Sequence, residues 1–105
     1  MRVELLRWDG CPSWPEALDG LRRVLKEEGA DPDAVRVLEI ESDEQAERER
    51  FPGSPTIRID GRDVVEPDTD APLGLTCRVY RLGDGRVSPV PDSEDVRRRV
   101  RAALG

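Results

Sequence analysis

The hydrophobic period changes between Leu6 and Trp14, and that change dictates how the chain must begin to fold. Val3, Leu5 and Leu6 form a short apolar run with one charged interruption, ended by Asp9-Gly10, which reads as a central strand feeding a turn. Trp14, Ala17, Leu18, Leu21, Val24 and Leu25 then recur at three- and four-residue steps, the spacing of one helix face, and Gly29 is placed to close that helix. The first unit is strand, turn, helix.

Asp31-Pro32-Asp33 is a turn signal, and Val35, Val37, Leu38 and Ile40 supply a second apolar strand. Ser42, with Gln45 three residues on, forms a capping box for a short, polar, exposed helix through Ala46 toward Phe51. Strands separated by helices in this way pair in parallel through right-handed crossovers. The pattern then switches: Thr56-Ile57-Arg58-Ile59 alternates, Asp60-Gly61 is the strongest hairpin signal in the chain, and Arg62 to Val65 returns antiparallel. Glu66 to Thr76, with two prolines and three acids, reads as a loop. Cys77 to Leu82 alternates as a strand, Gly83-Asp84-Gly85 turns, and Arg86 to Val90 reads as a short edge strand whose Pro89 suits an edge. A last helix, capped near Asp92 or Ser93, is expected to bury Val96, Val100, Ala103 and Leu104. The expectation is one α/β domain over 1–105, with a mixed sheet of four to five strands flanked by helices in the order β-α-β-α-β-β-β-(β)-α.

Charge narrows the function. Lys and Arg number 17 against 23 Asp and Glu, a net charge of -6, and Lys26 is the single lysine, so no nucleic-acid partner is expected. The local exception, Arg97, Arg98, Arg99 and Arg101, falls at the end of a helix, where cations complement the dipole; it reads as a solvated helix end or, in the alternative, a basic patch. No apolar stretch reaches 18 residues and no leader pattern occurs, so no membrane partner is expected and the cytoplasm is the expected location. With no histidine, a Cys/His nucleophile pair, a His-ligated zinc and a histidine general base are excluded.

Chemistry therefore falls to Cys11 and Cys77. In a reducing cytosol a purely structural disulfide is unusual, so paired thiols would be catalytic or redox-sensing. Cys11 stands at a strand-to-helix junction, where free N–H groups and the helix dipole favour a thiolate, or it is only a small residue filling a turn; Pro12 suits a first helical turn. The stretch "FPGSPTIRID" can hold a cis proline at Pro55, just before a strand.

In this order the chain resembles the thioredoxin superfamily, on Cys11 after the first strand and on Pro55-Thr56 before the third. More narrowly it is similar to small bacterial thioredoxin-like proteins with a "GCPxW" start and a late "GLxCRxY", some of which carry an alkylmercury lyase label. The resemblance implies a thiol-disulfide oxidoreductase with no cofactor, whose Cys11 attacks a disulfide of a protein or low-molecular-weight thiol. Pro55 and Thr56 would present backbone groups to an extended substrate. The sequence departs from the dithiol pattern: Cys11-Pro12-Ser13-Trp14 lacks the second cysteine, so release needs either Cys77 or an external thiol.

Tracing the hairpin back along the sheet starts the 66–76 loop near Cys11 and ends it at Cys77, which makes Cys77 either a resolving thiol or an inert strand residue. Trp14 shares the core face of its helix or shields the thiol, and Trp8 covers the sheet end or lines a substrate groove. Asp9, Asp68 and Asp70 are solvated loop acids or proton carriers. Two other functions stay open. One is capture of a soft metal or organomercurial by Cys11 and Cys77, with Asp70 protonating the leaving carbon. The other is a partner-binding module without turnover, using the antiparallel edge or the Trp8 region.

Overall fold

The computed structural model describes residues 1–105. In chain order it contains β1 (Val3–Arg7), α1 (Trp14–Glu27), β2 (Val35–Glu39), α2 (Asp43–Arg48), β3 (Thr56–Ile59), β4 (Arg62–Asp63), β5 (Tyr80–Arg81), β6 (Val87–Ser88) and α3 (Ser93–Leu104). The mixed sheet has the order β2-β1-β3-β4. β1 pairs in parallel with β2 and antiparallel with β3, and β4 closes an antiparallel hairpin on β3. The expected α/β order of elements is present. The last two strands, however, form a ribbon of their own, tied to the main chain before β3 by a single parallel bridge between Ser54 and Cys77.

The sheet is covered on both faces. Val3 and Leu5 of β1, with Ile57 and Ile59 of β3, pack against Ala17, Leu18, Leu21, Val24 and Leu25 of α1 and Val96 and Val100 of α3. This alternation is the two-residue period of a strand meeting the helical period of α1. On the opposite face Leu6 meets Ile40, Ala46 and Phe51, so the short polar α2 is pinned by one buried alanine and the phenylalanine just beyond it. α1 and α3 are also clamped by charge: Arg97 donates to Glu27 (2.8 Å) and Glu28 (3.1 Å), and Arg101 to Glu28 (2.7 Å). The basic run at the end of the chain is thus in part an interhelical clamp.

Several expectations shift. α1 begins at Trp14, with Ser13 as its N-cap, so Cys11 lies ahead of the helix, and Pro15 instead of Pro12 occupies the first helical turn. β2 is an edge strand whose Val37 is 39% exposed, because only Val35 and Leu38 reach the packed layers. Ser42 caps α2 as expected, its Oγ accepting from the Gln45 amide, but the reciprocal bond falls one residue early, Gln45 Oε1 accepting from the amide of Glu41. Leu104 is 50% exposed, since α3 has run past the end of the core. Of the expected 77–82 strand only Tyr80–Arg81 forms, and Val79 is 69% exposed while Arg78 and Tyr80 are buried.

Candidate thiol site

Cys11 follows a tight turn. Its amide donates to the Trp8 carbonyl (3.1 Å), and Gly10 lies under the Trp8 ring, where an added Cβ would stand 2.4 Å from the indole. The turn drops the Cys11 side chain inward, to 2% exposure. Ser13 leaves its cap unmade; its Oγ lies 3.3 Å from Cys11 Sγ instead. On the other side the thiol faces the Ser54 carbonyl at 3.5 Å.

Ser54 is the hinge of the site. Its amide donates to the Thr76 carbonyl and its carbonyl accepts from the Arg78 amide, both at 2.8 Å, which is the parallel bridge that carries Cys77 to Cys11. Both cysteines are free thiols, Cys11 buried and Cys77 exposed. Burial pushes the Cys11 thiol up, but hydrogen bonds from Cys77, Ser13 and Ser54 outweigh it, leaving Cys11 below the ordinary thiol range. Cys77 is raised, first because its proton is held toward Cys11 and then by burial and by repulsion from the Cys11 charge. Of the two sulfurs, the buried one is thus the readier to lose its proton. Ser54 Oγ is buried without a hydrogen-bond partner.

Arg78 fixes the segment that carries Cys77. Its guanidinium donates to Asp63 Oδ2 (2.7 Å), Thr56 Oγ1 (3.2 Å) and the Val65 carbonyl (2.6 Å), and lies 4.5 Å from the centre of the Tyr80 ring. The Tyr80 hydroxyl donates to the Pro55 carbonyl, and burial pushes its phenol up. Gly53, at φ +137°, lets the Arg78 backbone pass close by. Asp63 is raised by burial, even against the opposing pull of Arg78.

The candidate residues divide clearly. Cys11 and Cys77 come together. The Ser54–Pro55 peptide is cis, but Pro55 and Thr56 are buried and their neighbourhood is already paired: Ser54 with Thr76 and Arg78, the Pro55 carbonyl with Tyr80. The Ser54 main-chain groups and the Pro55 carbonyl are thus not free to receive an extended substrate. Trp14 packs half-buried on the core with Arg7 stacked 4.3 Å from its ring centre, and Trp8 packs beside Leu6 and Phe51. Neither indole lines the cavity of about 660 Å³ that opens beside Cys77 under the 66–76 loop. Asp68 lines that cavity; Asp70 does not, and Asp9 is exposed and paired with Arg7. Sequence reasoning assigns no role to Ser13, Ser54, Asp63 or Arg78, although Ser13, Ser54 and Arg78 lie inside the motifs it quotes. No helix is long and apolar enough to cross a membrane. No protein-family profile, curated protein or solved structure matches the chain.

Proposed function

We propose that this is a thioredoxin-like thiol–disulfide exchange protein in which Cys77 meets the partner and Cys11 is the buried resolving and leaving thiolate. The observation that carries the reading is the adjoining pair itself: the exposed Cys77 is bridged to Ser54, whose carbonyl lies 3.5 Å from the buried Cys11 sulfur. The element order, the mixed sheet and the placing of the Ser54-Pro55 loop against Cys11 support the thioredoxin-like assignment. The roles are the reverse of those the resemblance implies, because an attacking sulfur has to be reached by its partner and Cys11 is covered.

The exchange balances as follows. Cys77 passes its proton to the Cys11 sulfur and attacks one sulfur of a disulfide R–S–S–R; that S–S bond breaks, a Cys77–S–R bond forms, and RS⁻ leaves. Cys11 gives its proton to RS⁻ and attacks Cys77, forming the Cys11–Cys77 bridge and expelling the second RS⁻. The protein is oxidised by two electrons and the disulfide reduced. In reverse, an external thiolate attacks the exposed Cys77 sulfur and Cys11 departs; a thiol of lowered pKa leaves faster.

The test is mass analysis under non-reducing conditions after equilibration in thiol–disulfide buffers. Cys11→Ser is expected to accumulate a mixed disulfide on Cys77, and Cys77→Ser to remain largely unmodified. A mixed disulfide confined to Cys11, or no bridge in the unsubstituted protein, would overturn the proposal.

Capture of a soft cation is the second reading, favoured by the same two adjoining sulfurs. No third His, Cys, Asp or Glu joins them, so the ion would be two-coordinate, as thiophilic Hg(II) accepts. Carbon–mercury cleavage is less well supported, because Asp70 lies outside the cavity that Cys77 lines.

A further inference from the structure

We infer that the disulfide exchanged at Cys77 is a low-molecular-weight one bearing ammonium groups, rather than a segment of polypeptide. The inference rests on the exchange reading above and adds the class of partner to it. Three observations carry it.

The first is that the chain already occupies its own docking edge. An extended polypeptide binds a sheet edge through free main-chain donors and acceptors. Here Ser54 spends both of its main-chain groups on Thr76 and Arg78, and the Pro55 carbonyl receives Tyr80. Displacing that segment would also expose the Arg78–Asp63 pair, whose side chains are only 8% and 10% exposed. Cys77 itself sits on the displaced segment, so opening the edge would carry the reactive sulfur away from Cys11.

The second is the cavity. Its volume of about 660 Å³ falls within the range of small-molecule sites, about 300–1,000 Å³, and the exposed Cys77 forms part of its wall. The third is its charge. Asp43, Glu66 and Asp68 line it, against Arg78 and Arg81; Arg78 is neutralised by Asp63, which leaves Arg81 as the one cation without a carboxylate partner. Three carboxylates against one unpaired cation leave the cavity wall negative, so it attracts a cationic partner and repels an anionic one, most strongly at low ionic strength.

The test uses the reduced full chain in single turnover against three probes: cystamine, oxidised glutathione, and a disulfide-linked pair of unstructured ten-residue peptides. Each rate is divided by that of the same probe with a free dithiol, which removes intrinsic reactivity. Cystamine is expected to exceed oxidised glutathione by about tenfold at low salt, with the gap closing near 0.5 M salt, and the peptide to be slowest. Replacing Glu66 and Asp68 together by Gln and Asn should bring the cystamine rate down toward that of glutathione. Equal corrected rates for the two small disulfides, or a peptide faster than both, would overturn the inference while leaving exchange intact. If none of the probes yields the Cys11–Cys77 bridge, it is the exchange reading that fails.

Discussion

The main chain of Cys77 is bridged in parallel to that of Ser54, and this one pairing brings the exposed thiol to the buried one. Gly53 is the neighbour that permits it. A Cβ there would stand 3.1 Å from both the amide nitrogen and the Cβ of Arg78, at a φ of +137° that other residues rarely adopt. Gly53→Ala is therefore expected to cost about 1–3 kcal/mol in urea denaturation, by overpacking, and to slow formation of the Cys11–Cys77 bridge.

Ser54→Ala removes a buried hydroxyl that has no hydrogen-bond partner. The Cys11 titration, followed by thiolate absorbance, should move upward, because one donor to the anion is lost. Stability measured on the acid side of that titration should change little, because no hydrogen bond is broken. Ser13→Ala should shift the same titration without weakening α1, since Ser13 makes no side-chain cap.

Stability of the reduced protein should depend on pH through the same sulfur. The folded state holds Cys11 below the ordinary thiol range, so it binds fewer protons there than the unfolded chain, and stability rises with pH across that window. Below the folded value the contribution is absent. Cys77, raised in the folded state, works the other way as pH climbs through its own value. Denaturation of Cys11→Ser across the series should lack the rising portion.

Arg78→Met leaves Asp63 buried without its cation, a loss expected to be about 3–5 kcal/mol. Burial already raises Asp63, so it takes up a proton more readily in the variant, and the penalty should grow as pH rises. The double variant Arg78→Met, Asp63→Leu should recover much of the loss in thermal or urea unfolding.

Oxidation to the Cys11–Cys77 bridge closes a loop spanning most of the chain. In the chain-entropy picture this is expected to stabilise the fold by about 4 kcal/mol, read as the difference between oxidised and reduced proteins in urea.

Much of this architecture is legible in the sequence. The α1 face from Ala17 to Leu25, the Asp60-Gly61 hairpin with its two positive φ angles, and the return of the chain from β4 to Cys77 all follow from periodicity and turn chemistry. The start of α1 does not, because Pro12 and Pro15 both suit a first turn and only the folded turn at Trp8 decides between them. The alternation of the 77–82 segment is legible, but periodicity does not say which set of side chains turns inward. It is Arg78 and Tyr80 that turn inward, since Asp63, Thr56 and Pro55 supply partners distant in sequence. An Arg–Asp pair in a chain so rich in both has no periodic signature. The donors to Cys11 were equally hidden: a serine at a helix start reads as a cap, and a serine before a proline reads as a loop.

A thiol pair assembled by strand register has a different lineage marker from one assembled on a single helix. The distance in sequence between Cys11 and Cys77 can drift freely, because residues added or lost in the 66–75 loop leave the bridge at Ser54 untouched. What cannot drift is parity: one residue gained between Cys77 and Tyr80 would turn either the thiol or its anchors to the wrong side. Relatives of this protein should accordingly be sought by a cysteine followed directly by arginine and, three positions after the cysteine, by tyrosine, together with a serine-proline pair upstream. The spacing between cysteines is the wrong key.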